Sequence, residues 1–568
     1  MRRSLAVVYL LFLLTPVLVP QTEPTSPPAD TGISLRVTTR MVMVDAVVTD
    51  KKGNSVADLG VGDFTILEDG KPQKIRLFSL PESLQPANQK ALALPPNEFS
   101  NRPESRKPTG PLVLLLVDAL NSQLSDQVYV RQRAFRYLAE EARARRRIAI
   151  FALANNLVLL QDFTSDPNAL ATAIEKLWPQ KAVAASRGEA FTITPQMAAG
   201  LPETLLNSLK RLNQEQAVNS IDERVRITVA SLNAIARAMM GYPGRKNLVW
   251  ISAGFPVSLA MEGRYADLSQ NYASEVRETA TLLSQAQVAL YPVDSRGLSA
   301  VRESTGSDEL VATVVSPWDS VLDGDPLIGA PQIADASHMA MEQLALDTGG
   351  KAYYNANDLD RAVANSIADG TSYYALGYYP ENKKWDGKYR KIELKLRRKG
   401  LGCRYRRGYF AFDSISASKR VEHSELKDRL KEMQIAATDP LPATGITFRA
   451  QIVPPKPGDM KTEINLVVDS TSISFRESPS DRHQFDLDVA AFLVLPDGGL
   501  ISWVHKNLVS LLPEMQYADV RQHGLPFHFQ LDTASSQGDL RLVVRDNLTG
   551  LIGSLNIPLA GIKTEAHH

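Results

Sequence analysis

The sequence predicts a multidomain α/β plus β protein, with a doubly wound α/β domain held between two β-rich modules. Three observations predict it. Leu112–Val117 is an unbroken apolar run ending on Asp118, as expected of a parallel strand buried on both faces. Further strand-like runs at Asn247–Ser252 and Val288–Val293 each follow a stretch of helical spacing, which implies a mostly parallel sheet with helices on both faces. On either side, over 34–80 and 443–562, short strand-like segments are separated by turn residues.

The elements run as follows. Arg2 and Arg3 precede the apolar run Leu5–Leu14, and Thr15-Pro16 and Gln21–Pro24 follow. That is the layout of a signal peptide over 1–21, too short for a comfortable membrane span. No Ala-x-Ala site precedes Pro20, which leaves an uncleaved anchor open. An exported protein is expected, periplasmic, outer-envelope or secreted, with no span beyond this segment. Within 34–80, Asp69-Gly70 joins Phe64–Leu67 to Lys74–Phe78 as a hairpin turn, and the segment reads as a small β-sandwich. Scattered prolines make 81–110 a linker.

The α/β domain spans 111–370. After the first strand come a helix over 128–144, the strand Ile148–Leu153, the turn Asn155-Asn156 and the returning strand Leu157–Leu160, an antiparallel edge. Helices follow over 167–177 and around Ser337–Asp347, the latter ending at Gly349-Gly350 before a strand with Tyr353-Tyr354. Two insertions, near 180–222 and 299–335, are long for compact connections. Strands return in a β extension over 371–413. A charged linker with a helix spans 414–442, and 443–562 reads as a C-terminal β-sandwich. Few contacts are expected across that linker, so a chain ending near Ser414 should fold alone.

Composition excludes several functions. Lys plus Arg equals Asp plus Glu at 63 each in 568 residues, which leaves no basic footprint for nucleic acid. Arg143 and Arg145–Arg147 end a helix, where cations suit the dipole, and Arg404, Arg406 and Arg407 read as the wet face of a strand. A single cysteine, Cys403, permits no intramolecular disulfide, and its alternating strand suggests a packed thiol. No nucleophile elbow, phosphate loop, dinucleotide fingerprint or His-Glu-x-x-His occurs. His523 and His528 fall on opposite faces of a continuous strand, so they do not pair on a metal. The chain reads as a non-enzyme.

Six segments carry a family resemblance: Asp63–Gly70, Gly244–Trp250, Tyr291–Leu298, Thr348–Gly350, Tyr373–Tyr378 and Arg407–Tyr409. With the order strand, helix, hairpin, helix, strand, helix, strand, residues 34–412 resemble the von Willebrand factor A domain. They are most similar to the acidobacterial VWFA-related proteins. The resemblance implies a Rossmann-like domain between β-sandwiches, with a metal-ion-dependent adhesion site on top of its sheet. That site needs an Asp-x-Ser-x-Ser loop after the first strand, a Thr from a second loop and an acid from a third, because a hard divalent cation takes oxygen ligands.

Here the first loop is Asp118-Ala119-Leu120-Asn121-Ser122. Asp118 and Ser122 match, Leu120 replaces a hydroxyl ligand, Thr164 supplies the threonine, and Ala253 stands where the acid is expected. The site is therefore read as degenerate, with Asp118, Ser122 and Thr164 as its metal residues and Asn121 and Asp294 as further rim residues. No cofactor is expected; Mg²⁺ or another divalent cation is the alternative, and Asp118 otherwise caps the following turn. The implied function is protein binding, adhesion or assembly, with a protein or peptide partner. The alternatives are a metal-assisted hydrolase using Asp118 and Asp294 at the α/β rim, and an inert structural envelope protein.

Overall fold

A computed structural model describes residues 41–80, 94–103, 112–122, 127, 147–177, 202–255, 266–294, 330–354, 364–366, 368–370, 372–384, 386–412, 426–455, 461–478, 482–495, 499–532 and 538–559. The segment 1–21, the helix expected over 128–144 and most of the insertion 299–335 lie outside the described residues. Among those described, no helix is long and apolar enough to cross a membrane. The fold is mixed α/β with several β-sheets.

The chain opens with β1 (Val42–Thr49), β2 (Phe64–Glu68), β3 (Lys71–Gln73) and β4 (Ile75–Ser79), and some three hundred residues later adds β11 (Tyr374–Tyr378), β12 (Asp386–Leu396), β13 (Gly402–Arg404) and β14 (Gly408–Phe412). These eight strands form two sheets, β13-β1-β11-β4 and β14-β12-β2-β3. Val44, Ala46, Ile66, Leu376, Tyr378, Ile392 and Ala411 fill the core between them. Residues 34–80 are thus not a module of their own, and 371–413 is not an extension. Each supplies half the strands of one double layer, since short strands need neighbours and a shared apolar face to be stable. Inside the layer, buried Glu68 accepts from Tyr378 Oη at 2.7 Å and Tyr409 Oη at 2.9 Å, and pairs with Arg390 at 3.2 Å.

The intervening α/β domain leaves and rejoins this layer at adjacent points, because β4 pairs with β11 at Ser79↔Ala375. Its sheet contains β6 (Leu112–Asp118), β7 (Arg147–Leu153), β8 (Leu157–Thr164), β9 (Lys246–Ser252) and β10 (Val288–Asp294) in the order β10-β9-β6-β7-β8. All joins are parallel except β7–β8, so the antiparallel edge falls where the turn Asn155-Asn156 puts it. Val113, Leu115, Val117 and Ile251 pack against α1 (Pro167–Glu175) on one face. Asp166 caps that helix, its Oδ1 accepting from Asn168 N at 2.9 Å.

On the other face, Leu112, Leu114, Leu116 and Trp250 pack against α2 (Glu203–Met239), α3 (Ala266–Gln285) and α4 (Ala330–Thr348). Helix α2 has 37 residues and is about 55 Å long. The insertion expected over 180–222 is therefore helix from Glu203 onward. Its second half is anchored through Val225, Val229, Leu232, Ile235 and Met239 at three- and four-residue spacing.

The last unit contains β15 (Phe448–Val453), β16 (Lys461–Val468), β17 (Arg476–Ser478), β18 (Arg482–Val494), β19 (Leu500–Pro513), β20 (Leu525–Asp532), β21 (Asp539–Asp546) and β22 (Ile552–Pro558), with α5 (Leu426–Thr438) and α6 (Glu514–His523). One sheet runs β17-β18-β21-β22 with β19 also paired to β18; the other runs β20-β16-β15 and ends on β5 (Glu98–Ser100). The stretch expected as a Pro-rich linker thus donates a strand. Beside it, buried Asn101 donates to Ala443 O at 3.0 Å and Ile446 O at 2.8 Å and accepts from Phe448 N at 2.8 Å.

The charged linker helix is also corrected. Met433, Ala436 and Ala437 of α5 pack on Ala490, Phe492, Val494 and Val543, and Arg429 pairs with Asp488 at 2.9 Å. Beyond α5, Asp439 pairs with Arg237 of α2 at 2.8 Å, and Thr444 Oγ1 accepts from Gly241 N at 2.8 Å. Arg404 and Arg406 are not on a wet face either: Arg404 pairs with buried Asp369, and Arg406 Nε is buried.

These contacts reverse the expectation for truncation. A chain ending at Ser414 loses the partners of β5, Arg237 and Gly241, and should elute as aggregate in size-exclusion chromatography; a monodisperse, cooperatively melting product would show that the last unit is dispensable. The milder change Asn101→Ala leaves two buried backbone groups, Ile446 O and Phe448 N, without the side-chain partner they have here and should cost about 3 kcal/mol, read by urea denaturation at unchanged m-value.

Candidate functional site

Ligands of open α/β sheets bind outside the carboxyl ends of the strands. At that edge stand Asp118 on β6, Ser252 on β9 and Asp294 on β10, with Asp294 directly opposite Ser252. Even-numbered β6 residues face α2, so Asp118 points under that helix.

Asp118 is 1 % exposed. Its Oδ1 accepts from Asn121 N at 2.9 Å; its Oδ2 accepts from Asn121 Nδ2 at 2.8 Å, Ser252 Oγ at 2.8 Å and Trp250 Nε1 at 3.0 Å. Burial pushes this carboxyl above its usual range, and the donors from Asn121, Ser252 and Trp250 offset only part of the push. Asn121 extends the network, donating to Thr228 Oγ1 at 3.0 Å and accepting from Arg224 Nε at 3.1 Å. Burial of the Arg224 guanidinium pulls it down to about 10, against the attraction of Asp118. Ser122 Oγ accepts from Ala253 N at 3.1 Å, and Leu120 is buried in the core under α2. The loop is therefore tied to β9 and α2 by protein donors, with Asp118 capping its turn.

The expected metal residues do not all converge. Asp118, Asn121 and Ser122 share the loop, whereas Thr164 is elsewhere. Thr164 lies opposite Ile148, at the start of β7, while Asp118 lies opposite Leu153, at its end. Five residues of strand separate the two levels, roughly 17 Å. The antiparallel return of β8 carries Thr164 to the wrong edge, where its Oγ1 accepts from Asp166 N at 3.0 Å and shapes the start of α1.

Asp294 sits two strands from Asp118, roughly 10 Å away across the sheet. Its Oδ2 lies 2.7 Å from His338 Nε2 of α4. The His338 ring packs on Tyr354 with centroids 4.2 Å apart, and Tyr354 Oη donates to His338 O at 2.6 Å. Among the described residues no group of three or more His, Cys, Asp and Glu side chains gathers as metal ligands.

No protein-family profile and no curated protein matches the sequence. Among solved structures, the chain is similar to an aerotolerance-related membrane protein from Bacteroides fragilis NCTC 9343 carrying multiple mutations to serine (13% identity, TM-score 0.21, 46% of this chain and 98% of that chain). It is also similar to the conserved hypothetical protein BatB from Bacteroides thetaiotaomicron (13%, TM-score 0.23, 46% and 98%). A von Willebrand factor type A protein from Catenulispora acidiphila matches at 9% identity and TM-score 0.16, over 66% of this chain and 81% of that one. At these TM-scores the likenesses carry no argument about function.

Sequence reasoning did not single out Arg224, Thr228, Trp250 or His338. Arg224 carried a signal: it lies one turn before Thr228 and beside Val225 on the buried stripe of α2, where a charge is out of place unless it has a partner. His338 carried none, since its contact with Asp294 spans 44 residues.

Asp118 is acceptor-only when ionised, so Asp118→Asn sets an amide against protein donors. It should cost about 2 kcal/mol, measured by chemical denaturation. Asp118→Ala adds a pH signature. The folded-state pKa is raised, so protonation favours the folded chain, and stability from this group is lost as pH rises through the folded pKa. The advantage of the native chain over Asp118→Ala should grow as pH falls from neutral toward the ordinary 3.8; a gap that shrinks over that range would contradict this assignment.

Proposed function

We propose that this chain is an exported binding or assembly protein that docks a protein or peptide at the rim above β6, β9 and β10, without a metal and without catalysis. In this reading the central domain is von Willebrand factor A-like and doubly wound, with β-sandwiches on either side. Its adhesion site is degenerate. The observation that supports it most is the filled acceptor shell of Asp118, which receives four hydrogen bonds from Asn121, Trp250 and Ser252. A cation there would have to displace these donors, with Leu120 and Ala253 offering no side-chain oxygen in exchange.

The hydrolase alternative asks Asp118 and Asp294 to share a metal. Asp118 is committed to its loop and Asp294 faces His338, which leaves that alternative without a supporting contact. An inert envelope protein differs from the proposed reading only in lacking a partner, so binding decides between them.

The purified full chain serves as bait against an envelope extract, in EDTA and in millimolar Mg²⁺. A partner retained equally under both conditions, and lost when rim side chains are replaced, is the expected result; retention that requires Mg²⁺ sinks the metal-free part of the proposal. Calorimetry should likewise give a Mg²⁺ Kd no tighter than about 1 mM and little thermal stabilisation, since ligand below its Kd adds almost nothing to stability. A low-micromolar Kd would mean that other oxygens have rebuilt the site.

A further inference from the structure

Strand β19 has 14 residues and pairs with β18 alone among the described strands. It is an edge strand about 46 Å long. Its register with β18 assigns its two faces. Val504, Leu508 and Leu512 lie opposite Ala491, Leu487 and His483 and pack into the core between the two sheets. Trp503, His505, Asn507, Val509 and Leu511 therefore point outward, on the face that carries α5.

That outward face is apolar at both ends and exposed. Trp503 is 50 % exposed, Val509 51 %, Leu511 46 % and Ile501 42 %. Trp503 stacks only on Phe492, with ring centroids 6.4 Å apart. Between the apolar ends, His505 lies 2.9 Å from Asp488, and Asn507 donates to Asp486 at 3.0 Å. A long edge strand with exposed large apolar side chains is a template for another strand, and soluble proteins normally blunt or cover it.

The sequence of β19 indicates what covers it. Folded about Lys506, the strand is self-complementary in an antiparallel pair. On the outward face Trp503 meets Val509 of a second strand, Ile501 meets Leu511, and His505 meets Asn507. On the inner face Val504 meets Leu508 and Ser502 meets Ser510. Every pair matches apolar with apolar or polar with polar, as cross-strand pairing favours. The one like-charged pair is Lys506 with itself. Its Nζ donates to His528 O of β20 at 3.1 Å, in the other sheet. The irregularity in the β18 register, at Leu493/Val494, touches only the outermost pairs.

We propose that β19 is a dimerisation edge: two copies of this chain pair antiparallel through β19 about a twofold axis at Lys506, joining their C-terminal sheets into one continuous sheet. The interface is isologous, as closed two-subunit assemblies require, and lies on a different unit from the rim above β6, β9 and β10.

Analytical ultracentrifugation of the full chain should give a dimer at tens of micromolar. Trp503→Lys or Val509→Lys, at half-exposed outward positions, should yield a folded monomer with the same circular dichroism. A Lys506→Cys chain in a Cys403→Ser background should form disulfide-linked dimers under mild oxidation, because only residue 506 meets its own copy at a bridgeable Cα separation. Asn507→Cys should cross-link far less. A native chain that stays monomeric at high concentration overturns the proposal, and so does a dimer indifferent to both lysine substitutions. Cross-linking stronger at 507 than at 506 overturns the register.

Discussion

The arrangement of the units depends on one buried polar junction at the foot of the central sheet. Arg245, just before β9, is 5 % exposed. Its guanidinium donates to Gly349 O at 2.7 Å, Tyr291 Oη at 2.9 Å and Asn247 Oδ1 at 3.2 Å, and its backbone N–H donates to Tyr373 Oη at 2.9 Å. Tyr291 Oη passes the network to Asp369 at 2.9 Å, and Asp369 pairs with Arg404. Asp45 of β1 accepts from Gln287 at 3.2 Å; burial pushes its carboxyl up while Arg245 and Arg406 pull it down. Desolvating a guanidinium is costly unless its donors are met. Its partners come from β9, from β10, from the end of α4 and from Tyr373 just before β11, and the α/β sheet is held against the double layer that it interrupts.

The glycines after α4 make that junction close enough to work. A Cβ on Gly350 would lie 1.9 Å from Leu290 O, and one on Gly349, at φ +77°, would lie 2.8 Å from Arg406 N. Any side chain there would separate α4 from β10 and from the segment that carries Tyr405 and Arg406. Because β9 and β10 are gripped at their starts, Ser252 and Asp294 at their ends are placed with little freedom. The two rim carboxylates then differ by neighbourhood: Asp118 is filled by neutral donors, whereas Asp294 faces the His338 ring.

The sequence made the inner strands readable because burial on both faces leaves continuous apolar runs, as in Leu112–Val117, and because turns such as Asp69-Gly70 adopt positive φ, +48° and +80°. Pairing was not readable. β1 finds β11 across more than three hundred residues, and nothing local marks which strand completes a half-built layer. The three residues of β5 lie among prolines and become a strand only because β15 offers an edge. Asp118, Asn121 and Ser122 are placed together by their closeness in the sequence, on one loop. Thr164 lies at the other end of the sheet, because β8 runs antiparallel to β7 and a local motif does not carry strand direction.

A metal-ion-dependent site recognises a partner by leaving one coordination position for its carboxylate. In the proposed reading an internal network stands where the ion would be, and this changes what recognition can rest on. The cationic charge near Asp118 now belongs to Arg224, which is 7 % exposed and occupied by Asn121 at 3.1 Å. A partner carboxylate would meet a charge that is already buried and partnered, where the ion would have offered an open position. If the rim binds a partner as proposed, affinity there must come from shape and apolar contact supplied by the loops around it, while the Asp118 network ties the first loop to β9.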